Sequence, residues 1–444
     1  MRNDLLRQTN DALAIVLGDV PADPHAFADE VVERFAAHVN PGILNARKSV
    51  TEAGDHVSVE WDGEGSLIRD VHGREFIDLL GGYGVYTLGI KHPDVMAAVH
   101  AQLARSPLHT QELLDPLRGS FAEVLAALAP AGLTRAFFCN SGAEAVEGAM
   151  KLAMWATGRH TFVAAENAFH GKTLGALSLM GKERFRSPFE PALIECARVP
   201  FGDAVALDAL LDGADPKPAA VVLEPIQGEA GAVVPPDGYL AAVRAACDRH
   251  GVLLIADEVQ TCLGRTGAMF AVDHWGVVPD IVTLGKGLGG GVLPIGAVLS
   301  TPAIWEVWEK DPFIHSNTFG GNPLACAAGI AAAHVTVRDD LPGRSLKVGE
   351  RYAEAVRDLA AQYPGVLEGV TGRGLLQAMH FSTNELGYEV AAGLFRRNVL
   401  VAGTTANARA IRIEPALTIP DDLVDESLTR LADTLAEVAG RVRA

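Results

Sequence analysis

From about residue 71 to residue 330 the chain alternates short apolar runs with longer stretches in which apolar residues recur every three or four positions. The runs RAFFC (135–139), TFVAA (161–165), AVVLE (220–224), VLLIA (252–256), IVTL (281–284) and IGAVL (295–299) are short and continuously apolar, the pattern of buried strands. EAVEGAMKLAMWATG (144–158) and GYLAAVRAACDRHG (238–251) carry the helical period instead. Such alternation predicts βαβ units: an α/β domain with a mainly parallel sheet covered by helices on both faces. Upstream, DPHAFADEVVERFAAHV (23–39) predicts a helix, followed by NPG and a polar, hairpin-like stretch ending in VHGREFIDLLGG (71–82). Downstream, the alanine-rich helix NPLACAAGIAAAHVTV (322–337) gives way to a helix near 347–362, strands in GLLQAMHF (374–381) and AIRIEP (410–415), and a final helix from about 421. The organisation expected is an N-terminal extension over residues 1–70 packed on the small domain, a large domain over 71–330, and a smaller α+β domain over 331–444.

The length of 444 residues supports that division, because one hydrophobic core rarely organises so long a chain. The formal net charge of -18, with no lysine- or arginine-rich block, argues against nucleic acid or an anionic membrane as partner. Five scattered cysteines without a CxxC pair indicate neither a disulfide framework nor a metal site. No apolar stretch approaches the ~18 residues of a membrane span. The N-terminal MRNDLLRQTNDALAIVLGDV is broken by charge and does not read as a signal peptide, so a cytoplasmic location is expected.

In open parallel sheets, ligands bind beyond the carboxyl ends of the strands. The stretch TLGKGLGGGV (283–292) places Lys286 there, in a run of glycines. GKGLGG matches the dinucleotide fingerprint, but a lysine at its second position would crowd a pyrophosphate. A P-loop fails as well, since Asp280 stands where its first glycine belongs and Gly287 replaces the serine or threonine. VLLIADEVQ ends another strand in Asp257, so an amine and a carboxylate reach the same sheet edge. A third strand runs into Asn140-Ser141-Gly142-Ala143 at a helix start, which serves either as a bare cap or as a cradle for an anion. An amine and a carboxylate on neighbouring strand ends favour the cradle. Together these features suit pyridoxal 5'-phosphate, whose aldehyde forms a Schiff base with a lysine, whose ring nitrogen needs an anion and whose phosphate needs donors. On this reading the glycines let the backbone run close beside the cofactor.

The stretches DLLGGYGVYTLG, FFCNSGAEAVEGAMKLA, AFHGKTLGALS, VVLEPIQGEAG, IADEVQTCLGRTG, PDIVTLGKGLGGGVLPIGA and TFGGNPLACAAG resemble, in order, those of class III (ω-type) aminotransferases of pyridoxal phosphate fold type I. VNPGILNARKSVTEAGD, LHTQELLDPLR and VLVAGTTANARAIRIEPALT resemble the members that move an amino group from putrescine to 2-oxoglutarate. The resemblance implies that Lys286 holds the cofactor and then moves the proton, and that Asp257 pairs with the ring nitrogen. It implies further that Gln260 reaches the ring's phenolic oxygen, that Ser141, Gly142 and Ala143 bind the phosphate, and that Phe169 and Val259 pack the two ring faces. Thr318 would donate to the phosphate of a neighbouring subunit's cofactor, making the active unit a homodimer. Glu229 and Arg412 match the glutamate that gates an arginine for the substrate carboxylate, and an ion pair between them is expected while a diamine is bound. His170 reads as a loop histidine without a catalytic part.

The activity expected is therefore a ping-pong transfer of a terminal primary amino group from a diamine such as putrescine to 2-oxoglutarate. Other class III reactions compete with it: amination of a terminal aldehyde on a polyketide or fatty chain, or turnover of ornithine, acetylornithine, lysine or 4-aminobutyrate. A decarboxylase or aminomutase of the same fold is more remote. Two departures from the common pattern, Ile90-Lys91 in LGIKHP and Ala416 in EPAL, bear on the choice of amine rather than on the chemistry.

Overall fold

The computed structural model describes residues 2–18, 21–52, 54 and 56–443. Its central sheet has seven strands, in the spatial order Arg135–Cys139, Gly296–Ser300, Ile281–Leu284, Leu253–Asp257, Ala220–Leu223, Phe162–Ala165, Cys196–Val199. The last five are mutually parallel, and Gly296–Ser300 alone runs antiparallel to both of its neighbours. All the apolar runs read from the sequence become strands of this sheet; Cys196–Val199, with an arginine in its middle, is the one they did not announce.

Strand side chains alternate between faces, and the core divides accordingly. Phe162, Ala164, Ala220, Val222 and Ile255 pack against the helix Gly142–Thr157 through Ala145, Ala149 and Leu152. Val163, Ala165, Val221, Leu223 and Leu254 pack on the other face against Tyr239, Leu240 and Val243 of the helix Tyr239–His250. Burial on both faces is why these strands carry no polar alternation.

The C-terminal part builds a four-stranded antiparallel sheet in the order Leu367–Arg373, Leu376–Phe381, Ala410–Ile413, Ala402–Gly403. The helices Leu341–Gln362, Asn384–Arg396 and Asp421–Arg443 contribute to a shared core with it. A third sheet joins distant parts of the chain: the antiparallel strands Glu60–Glu64, Leu67–Asp70 and Glu75–Asp78 are extended by Val399–Leu400, parallel to the last of them. The helix Pro24–His38 starts on Asp23, whose carboxylate accepts from the His25 and Ala26 backbone N–H groups. Among the described residues, no helix is long and apolar enough to cross a membrane.

Candidate active site

Asp257 and Lys286 leave the carboxyl ends of two adjacent parallel strands, with Asp257 opposite Thr283 in register. Asp257 is 4% exposed, and its carboxylate has three partners. Oδ1 accepts from Thr283 Oγ1 at 2.9 Å and from the Val259 backbone N–H at 3.1 Å, while Oδ2 lies 2.7 Å from His170 Nδ1. A buried carboxylate needs such bonds to stay charged, and these also fix the direction in which it points. Burial works against a charge on His170, but the hydrogen bond and the charge of Asp257 outweigh it, and its pKa is raised. His170 is therefore a loop histidine whose buried partner is Asp257. Beyond it, Glu224 accepts from the Phe169 backbone N–H at 3.1 Å, and burial pushes its carboxyl up to about 7.

Lys286 has φ +46 and opens the short 3-10 turn Lys286–Gly289. A long side chain in this left-handed region is uncommon, and such strain concentrates at functional sites. Burial lowers its pKa against the pull of Glu414, with Arg412 also lowering it and Glu229 and Asp257 raising it. The net lowering enlarges the share of neutral, nucleophilic amine at neutral pH. Several glycines around it meet protein closely. A Cβ on Gly287 would sit 2.4 Å from Thr87 Cγ2, and one on Gly291 2.8 Å from Tyr86 Cδ1. Three of the five glycines in the run thus also pack against the segment 86–95.

Gly289 meets Ile295 instead, and a Cβ on Gly285 would approach Gly142 Cα to 3.1 Å at the start of the helix Gly142–Thr157. Ser141 caps that helix, its Oγ accepting from the Glu144 N–H at 3.1 Å. The first-turn N–H groups, those of Gly142 and Ala143 included, have no intrahelical carbonyl to bond and lie at the positive end of the helix dipole. A Cβ on Gly142 would lie 2.6 Å from Val259 Cγ1, so only glycine lets Val259 close against the helix start. Phe169 and Val259 are both half-buried.

A second group of charges lies between the large sheet and the C-terminal sheet. Arg412, on the strand Ala410–Ile413, is fully buried and pairs through Nη1 with Glu229 Oε1. Glu229 Oε2 also accepts from the Thr405 N–H at 2.9 Å. Burial would raise the Glu229 pKa, but Arg412 outweighs it and holds the carboxyl below its ordinary value. Glu414, fully buried, stands 3.6 Å from Arg412 Nε, and both its oxygens accept from Gln260 Nε2 at 3.0 Å. The Tyr83 ring centre is 5.2 Å from the guanidinium carbon of Arg412. Burial opposes the charge of Arg412, but Glu414 and then Glu229 more than compensate and raise its pKa. Arg412 Nε and Nη2 are nonetheless buried without a hydrogen-bond partner among the described residues.

The structure thus brings together Asp257 with Val259, Val259 with Gly142, and Glu229 with Arg412. Gln260 joins the second group only through Glu414. Thr318 stands apart and exposed; its backbone carbonyl accepts from Gln111 Nε2. Lys91, the departure noted near the N-terminal hairpin, forms an ion pair with Asp62, both half-exposed. Glu414 had no assigned part, although a signal for it existed: it lies two residues after Arg412, and in a strand i and i+2 share a face.

The sequence profile described as Aminotransferase class-III matches residues 50–435. The chain belongs to the class III aminotransferase family. It is 49% identical over 446 residues to a putrescine aminotransferase of Pectobacterium atrosepticum, covering 98% of this chain and 95% of that one. Among solved structures it resembles the ornithine aminotransferase of Toxoplasma gondii ME49, with TM-score 0.83, 31% identity, and 95% and 100% of the two chains covered. An amine transaminase of an uncultivated Pseudomonas species, solved in its PLP-bound form, superposes with TM-score 0.79 at 30% identity over 86% and 95% of the chains. The fold is accordingly that of pyridoxal-phosphate aminotransferases, and the enzyme is a transaminase dependent on that cofactor. The residues present fit it: a carboxylate of fixed direction, an amine of lowered pKa and a helix start with free donors meet at one sheet edge.

Proposed function

We propose that this transaminase moves a terminal primary amino group from a diamine such as putrescine to 2-oxoglutarate, in two strokes at one site. The observation that carries the reading is Arg412 paired with the carboxylate of Glu229, two residues from a second buried carboxylate. A donor that brings no carboxylate leaves that pair closed, and a dicarboxylic keto acid gives Arg412 a reason to open it. The high identity to the Pectobacterium enzyme supports the same donor class.

Pyridoxal phosphate, when bound, supplies an aldehyde that condenses with amines and a ring that takes up electrons from the neighbouring carbon. The chain's part is to hold, orient and move protons. Asp257 would hold the ring nitrogen on a carboxylate that His170, Thr283 and Val259 keep from turning. The helix start at Ser141, Gly142 and Ala143 would hold the phosphate, Phe169 and Val259 the ring faces, and Gln260 the phenolic oxygen. Lys286 Nζ would hold the aldehyde and, as a neutral amine, would take the proton from the substrate carbon that bears the nitrogen. In the second stroke Glu229 swings from Arg412, and the guanidinium binds the carboxylate of the keto acid through its bidentate fork.

Thr318 has its role in a homodimer, reaching the neighbouring subunit's phosphate. Its exposed position supports that assignment, as do the exposed Leu113, Leu114 and Phe313 on the loops near it. A cytoplasmic location follows from the same reading. The test is a donor screen with 2-oxoglutarate, reading glutamate formed: putrescine and cadaverine lead, followed by ornithine and 4-aminobutyrate. Equal or better turnover of 4-aminobutyrate would reject the diamine assignment.

A further inference from the structure

The site holds a carboxylate beyond those the two-stroke cycle requires. Glu414 directly follows the strand Ala410–Ile413 that carries Arg412, is fully buried, and is tied by both oxygens to Gln260 Nε2 at 3.0 Å. Its surroundings leave it little freedom, since a Cβ on Gly84 would lie 2.3 Å from Glu414 Oε1. Glu229 holds Arg412 from the loop after the strand Ala220–Leu223, its other oxygen accepting from the Thr405 N–H. Arg412 thus has a counter-ion on each side, Glu414 standing 3.6 Å from its Nε. Among the described residues, two of its buried nitrogens still lack a hydrogen-bond partner.

A buried guanidinium that loses its only counter-ion is strongly destabilised. If Glu229 were alone, sharing its charge with a substrate ammonium would weaken the pairing of Arg412. We infer that Glu414 is the specificity-determining residue for the amine donor: as a second counter-ion of Arg412 it leaves Glu229, still paired with that arginine, with negative charge to spare for the distal ammonium of a diamine. This rests on the aminotransferase reading above and adds to it the reason a site with a carboxylate-binding arginine accepts a dication. With one cation between two carboxylates, the substrate side carries an excess negative charge, which attracts an ammonium and weakens the hold on a donor's α-carboxylate. Glu414 acts through Arg412 and Glu229 and is a positioning residue, not a catalytic one.

Glu414→Gln keeps the shape and removes the charge, and Glu414→Ala serves as the second variant. Both half-reactions are followed in the purified holoenzyme by cofactor absorbance, with putrescine and n-butylamine as donors and 2-oxoglutarate as acceptor. The ratio of kcat/KM for putrescine over n-butylamine should fall roughly tenfold or more, the worth of one charge-assisted hydrogen bond. The KM for 2-oxoglutarate should fall in the same preparation, because Arg412 is then less neutralised. Opposite changes in the two strokes cannot come from loss of folded protein, which leaves the donor ratio untouched. An unchanged ratio, or equal weakening of both strokes, overturns the role of Glu414 while leaving the activity standing. A wild-type enzyme that turns over no amine overturns the activity and this inference with it.

Discussion

His170→Phe isolates what holds Asp257 in place. The substitution exchanges one buried ring for another, and His170 Nε2 has no hydrogen-bond partner to lose among the described residues. What disappears is the 2.7 Å contact between Nδ1 and Asp257 Oδ2; the bonds from Thr283 at 2.9 Å and Val259 at 3.1 Å remain. A hydrogen bond to a charged group contributes roughly 1.5–3 kcal/mol, which predicts a fall in kcat/KM of about 10- to 150-fold. The pH profile provides a second reading. Asp257 raises the His170 pKa above its ordinary 6.5, so the attraction is full below that value and is lost as pH rises through the raised one. Wild-type kcat/KM should therefore decline on the alkaline side through this group, and the variant should lack that limb. Steady-state kinetics with putrescine across pH checks both, with cofactor content measured to confirm loading. A variant within about twofold of wild type, with the same alkaline limb, would refute the claim that His170 orients Asp257.

Arg412→Ala leaves Glu229 and Glu414 buried without their cation, so unfolding should require about 3–5 kcal/mol less and the 2-oxoglutarate stroke should suffer more than the amine stroke. Denaturant melts and separate half-reactions measure the two effects. Gly142→Ala drives a methyl to 2.6 Å from Val259 Cγ1, an overpacking of roughly 1–3 kcal/mol that Val259→Ala should relieve. A double-mutant cycle on cofactor affinity reads that coupling, and additive losses would show that the two residues do not meet there. Leu114→Glu combined with Phe313→Glu, at positions 99% and 85% exposed, should shift the enzyme toward inactive monomers by light scattering. An active monomer would contradict the role given to Thr318.

The parts of this architecture visible in the sequence are those written in local periodicity. The runs 253–256 and 281–284 are predominantly apolar because both faces are covered, and Asp257 and Lys286, which follow them, are therefore at a sheet edge. Other features depend on partners far along the chain. Nothing near Glu75–Asp78 indicates that its parallel neighbour is Val399–Leu400, and Cys196–Val199 carries an arginine that hides its strand character. His170 lies 87 positions from Asp257, so their contact leaves no local trace. Glu414 was legible in principle from its spacing to Arg412, but a buried carboxylate beside an arginine is recognisable only when Gln260 is seen bonded to it. The glycines after Lys286 are visible in the sequence, whereas their packing on Thr87 and Tyr86 is not, because that segment lies about 200 residues earlier.

The central claim is that the cofactor is anchored at Lys286, whose burial lowers its pKa and whose backbone is held at φ +46. Borohydride reduction of the holoenzyme, followed by digestion and mass spectrometry, tests it most directly. The account predicts a phosphopyridoxyl mass on Lys286 alone, absent from Lys286→Ala. A label on another lysine, or an unmodified Lys286 in fully loaded enzyme, would contradict it.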